Sequence, residues 1–72
     1  MYNYIVLTSL DKIDLIDEKI KNYESLIYYI ELRIVEGNID ESSIDDMQMS
    51  IAEYESYILA LNAEKDLLSI NL

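Results

Sequence analysis

Five residue types are missing from this 72-residue chain: Cys, His, Pro, Trp and Phe. Without Cys there is no disulfide to staple a small fold, and the redox compartment is left open. Without His the commonest metal ligand and the commonest general base are both gone. Positive charge is scarce: five Lys and Arg stand against fifteen Asp and Glu, a net charge of −10. That balance favours solubility and disfavours nucleic acid or an anionic membrane as a partner. No stretch approaches the ~20 consecutive apolar residues that a membrane span needs. The opening Met1–Leu7 lacks a basic n-region and is too short for a signal peptide, so the expected location is the cytoplasm.

What the chain does have is apolar content. Hydrophobic residues make up 51% of it, far above the disordered class. A domain this small buries only about 60% of its unfolded surface and is marginal alone. With disulfides excluded and metal ligands scarce, association is the route left for compensating.

The single Gly, at position 37, is followed by Asn38, and this breaker pair divides the chain nearly in half. Upstream, Thr8, Ser9, Leu10 and Asp11 fit a helix start. Downstream, Asp40 or Ser43 is placed to cap a second helix. We read one domain over 1–72: an extended segment at 1–8, helix 1 over about 9–36, a turn at 37–40, and helix 2 over about 41–69. Tyr2, Tyr4 and Val6 alternate with Asn3, Ile5 and Leu7, which is why the first segment reads as extended.

Periodicity is the most specific signal. Ile13, Ile16, Ile20, Tyr23, Ile27, Ile30 and Ile34 follow one another at alternating spacings of three and four. Ile44, Met47, Ile51, Tyr54, Ile58 and Leu61 do the same, continuing to Lys65 and Leu68. Sustained three–four spacing is the seam of a coiled coil. The short turn makes the helices antiparallel neighbours. Folding the seam about residue 39 pairs Ile34 with Ile44, Tyr23 with Tyr54 and Ile16 with Leu61. The one polar seam residue, Lys65, falls opposite Ile13 and is expected to carry its head outward. The fold expected is an all-α, antiparallel two-helix hairpin.

The flanks of the seam say where further contacts would form. One side carries Leu15, Leu26 and Tyr29 from helix 1 and Tyr57, Ala60 and Leu67 from helix 2. An apolar face this wide suits a bundle of more than two helices, so self-association into a dimeric four-helix bundle is expected there. Lys12 is expected to face Glu64 across the pair, while Glu24 faces Glu55. The acidic flank of Asp17, Glu24, Glu31 and Glu55 has no explanation in pairing within the chain. Near the turn, Tyr28, Leu32 and Val35 form a second apolar patch, with Ala52 and Leu59 on helix 2. This patch and the acidic flank are the candidates for contact with another protein. Tyr28, Tyr29 and Tyr57 lie off the seam, and Tyr is enriched at interface hot spots.

Chemistry has little to work with. Ser9 lies one turn from Lys12, and Lys65 lies between Glu64 and Asp66, but neighbours of this kind occur on almost any helix. Asp40, Glu41, Asp45 and Asp46 cluster at the turn without the EF-hand pattern, and acids favour a helix N-terminus in any case. No phosphate-binding loop is present, since those need several glycines and a base. We therefore expect no catalytic residues, no metal and no cofactor.

The expected function is a small acidic protein–protein interaction module. Twelve Ile and seven Tyr with no Pro, Cys, Trp or Phe suggest an AT-rich genome. Bacteriophages encode many such proteins, so a viral inhibitor acting on a host protein in the host cytoplasm is the reading preferred. A DNA mimic is the first alternative: two copies carry −20, and a duplex about 42 Å long carries roughly 25 charges. An oligomer that binds or sequesters a small ligand is the second.

Overall fold

The computed structural model describes residues 8–70, and these form two helices joined by one turn. Helix α1 runs Ser9–Glu36 and helix α2 runs Glu41–Ile70. The expected extension of the first segment falls on residues 1–7, outside the described residues.

Helix α1 starts where its side chains stop the backbone from continuing upstream. Thr8 is extended at φ −74°, ψ 168° and caps the helix. The Asp11 N–H donates to Thr8 Oγ1, and the Thr8 N–H donates to Asp11 Oδ2, both at 3.1 Å. This reciprocal pair satisfies two of the N–H groups that a helix start leaves open. At the other end the Gly37 N–H donates to the Ile34 carbonyl at 3.3 Å.

Gly37 then turns the chain at φ 80°, ψ −162°, a region essentially closed to residues with a side chain. Asn38 follows at φ 65°, in the left-handed region that Asn tolerates. The Ile44 N–H donates to the Asp40 carbonyl at 3.0 Å, so α2 begins directly after Asp40 and not at Ser43. A methyl group added at Gly37 would meet nothing within 4 Å. The cost of Gly37→Ala is therefore backbone strain, on the order of 1–3 kcal/mol. We expect a thermal midpoint lower by several degrees. An unchanged midpoint would show that the turn relaxes freely.

The seam lies between the helices. All its residues, from Ile13 to Ile34 and from Ile44 to Leu68, are buried or half-buried, while most residues around them are exposed. Tyr23 stacks on Tyr54 with ring centroids 5.6 Å apart, which fixes the register near the fold point at residue 39.

Two details of the flanks escape the layer pairing. Lys65 carries its head outward to the edge of the seam, and it has a partner there. Its Nζ donates to Asp17 Oδ1 at 2.6 Å, and the two side chains are 36% and 41% exposed. Helical side chains lean toward their own N-terminus, so Lys65 slants toward the turn and meets Asp17 one turn beyond Ile13. The acidic flank thus has one partner within the chain. The expected Lys12–Glu64 pair does not form.

The Asp17 carboxylate, by accepting this bond, raises Lys65 above its ordinary lysine value. A raised base stabilises the fold below its unfolded value and loses that effect as pH climbs through the raised one. Lys65 therefore stays charged at neutral pH and gives up its proton only in strong alkali. An exposed pair of this kind contributes little, whereas an apolar residue would complete the seam. We expect Lys65→Leu to hold or raise the thermal midpoint. A clear drop would show the ion pair to matter more than its exposure implies.

Candidate interaction surface

The core is very small. Among the described residues only Ile16 and Ile20 are buried, at 5% and 8% exposure. Twelve large apolar side chains are exposed. Each helix has one neighbour, so the faces turned away from the seam are uncovered.

On the first face Leu26, Tyr57 and Ala60 come together. With Lys19, Asn22 and the seam residues Tyr23 and Leu61 they line an open groove of about 500 Å³. Tyr57 sits beside the seam pair, with its ring centroid 5.4 Å from that of Tyr23 and 6.4 Å from that of Tyr54. Its hydroxyl donates to Glu53 Oε1 at 2.5 Å. The carboxylate that accepts this bond raises the phenol above its ordinary value, with the nearby negative charge adding to the effect. The ring is thereby fixed as one wall of the groove. The bond joins residues four apart on one helix, and that spacing was the available sequence signal for it.

The other expected members of this face lie beyond the groove. Leu15 is exposed toward the open end, beside Asp11, Asp14 and Glu18. Leu67 is exposed near the end of α2. Tyr29 lies at the turn, where it lines a hollow of about 260 Å³ with Leu32, Arg33 and Ile39. The Arg33 guanidinium lies 5.9 Å from the Tyr29 ring centroid, and its Nη1 donates to the Tyr29 hydroxyl at 3.4 Å. This cation–aromatic contact was again readable as a spacing of four.

The second face is more open and more acidic. Tyr28 and Val35 are exposed, Val35 at 83%. Tyr28 lines a shallow hollow with Lys21, Glu24 and Ser25. Leu32, exposed like Tyr28 and Val35, also lines the hollow at the turn with Tyr29. Glu24, Glu31 and Glu55 are exposed, whereas Asp17 is engaged by Lys65. Leu59 and Ala52 on α2 are exposed as well.

Among the described residues no three acidic side chains gather closely enough to hold a metal ion, the turn cluster of Asp40, Glu41, Asp45 and Asp46 included. No described helix is long and apolar enough to cross a membrane. Neither a family model, a curated protein nor a solved structure significantly matches the chain.

Proposed function

We propose that this chain is a small acidic interaction module that works by association and carries no chemistry of its own. It pairs with a second copy through the groove face, making a four-helix bundle, and leaves the acidic face with Tyr28 and Val35 outward for another protein. One observation carries this reading: twelve large apolar side chains are exposed against two buried residues. Monomers seldom leave contiguous apolar surface uncovered, whereas single exposed residues are ordinary. Here Leu26, Tyr57 and Ala60 share one groove. The composition fits a bacteriophage protein that binds or inhibits a host protein.

The outward face suits a partner with a basic surface. Glu24, Glu31 and Glu55 lie on it, and Lys21 and Lys65 are the cations beside Glu24. Tyr28 gives that face an aromatic anchor of the kind that dominates binding energy. The DNA-mimic reading is weaker, because Lys65 engages Asp17 and Lys21 lies beside Glu24, so cations break the acidic stripe.

The test is capture of partners from a nuclease-treated bacterial lysate at low and high salt, with Tyr28→Ala as the control. A partner that is weakened but still held at high salt, and lost in Tyr28→Ala, supports the module. A DNA-binding protein released by salt would replace it with the mimic. Recovery of the chain alone would leave only self-association standing.

A further inference from the structure

We infer that the second copy docks with its α2 over α1 of the first, about a two-fold axis that runs parallel to the helices. This rests on the pairing proposed above and adds its geometry. Charge on the groove face decides it. Steps of seven residues from Lys19 and Leu26, which line the groove, place Lys12 and Arg33 on the same edge of α1. Steps of seven from Tyr57 and Ala60 place Asp46, Glu53 and Glu64 on the matching edge of α2. Adding Glu36, the face holds three of the five bases and four of the fifteen acids, so it contributes only −1 to the chain's −10. It is the one face that two such acidic copies can bring together without strong repulsion.

The face is also divided lengthwise, with its bases on α1 and its acids on α2. Two symmetric ways of stacking it on a copy exist. With the axis parallel to the helices, α1 covers the partner's α2 and heights along the bundle are kept. The register set by Tyr23 on Tyr54 then brings Arg33 level with the partner's Asp46. Lys12 and Lys19 bracket the partner's Glu64. With the axis across the helices, α1 covers the partner's α1 end for end. Lys12 then meets the partner's Arg33, and Asp46 meets the partner's Glu64. Like charges facing each other penalise that second arrangement. Exposed pairs add little affinity, so the apolar groove holds the copies together and the charges choose their orientation.

The chain has no Cys, so each introduced thiol is the only one present. We would make Arg33→Cys, Asp46→Cys and Asn22→Cys, all at exposed positions, and confirm their helicity. Each is treated with a short bismaleimide, and the masses of the linked products are read. In an equal mixture of Arg33→Cys and Asp46→Cys chains, the expected product joins one of each, in large excess over self-linked chains. Asn22→Cys alone should link poorly, because it lies diagonally opposite its own copy. Efficient linking of Asn22→Cys to itself would overturn the inference, since only the end-for-end arrangement brings α1 midpoints together. If neither link forms while light scattering still gives twice 8.4 kDa, this docking is wrong and the pairing stands. If scattering gives 8.4 kDa, the pairing itself falls and the docking with it.

Discussion

Leu26→Glu is expected to turn a paired protein into a monomer at micromolar concentration. Leu26 is 45% exposed in the hairpin and lines the groove together with Tyr23 and Tyr57. Covering a fully exposed leucine contributes about 1.5–3 kcal/mol, so the part still uncovered here contributes roughly half of that, and a symmetric pair contains the residue twice. Losing both weakens association by about 1.5–3 kcal/mol, a factor of roughly 10 to 10². The new carboxylates add a desolvation cost in the same direction. Light scattering reads the result as a fall in mass toward 8.4 kDa. Leu59→Glu is the control. Leu59 is also exposed but lies on the other side of the hairpin, so its substitution should leave the mass unchanged. Equal loss in both variants would point to general surface stickiness instead of a defined face.

Ile20→Ala is expected to lower the thermal midpoint by about ten degrees or more. Ile20 and Ile16 are the buried centre of the seam. Truncating a buried isoleucine to alanine costs about 2–5 kcal/mol, because a cavity is left behind. A chain of this length has on the order of 4–11 kcal/mol in all. With two helices only, few side chains are available to collapse into the gap. The melt followed by circular dichroism should shift down accordingly, and its midpoint should climb with concentration as pairing adds stability. Val35→Ala, at a nearly bare position, should leave the melt within about 0.5 kcal/mol of the parent. A cooperative, unshifted melt in Ile20→Ala would mean that the core lies elsewhere.

The hairpin was legible because its signals agree at several levels. The Thr8–Asp11 cap, the Gly37–Asn38 break and the alternating three–four seam each point to the same two helices, and the Tyr23–Tyr54 stack sets the register that folding about residue 39 requires. Side-chain direction was less legible. Lys65 was placed opposite Ile13 by layer, but a lysine is long and leans along its helix, so it finds Asp17 in the next layer. Tyr57 was read as a contact residue on the apolar flank, off the seam. Seam spacing treats positions as points, whereas a tyrosine ring is wide enough to reach the Tyr23–Tyr54 pair from the flank. A spacing argument identifies which side of a helix a residue occupies. It does not resolve which neighbour a side chain near the boundary will choose.

Whether a second copy covers the groove face can be read directly by sedimentation equilibrium across a concentration series, with thermal melts at the same concentrations. Pairing gives a mass twice 8.4 kDa at micromolar concentration and a melting midpoint that rises with concentration, because it adds to stability by mass action. A mass of 8.4 kDa at every concentration, with a constant midpoint, would contradict it.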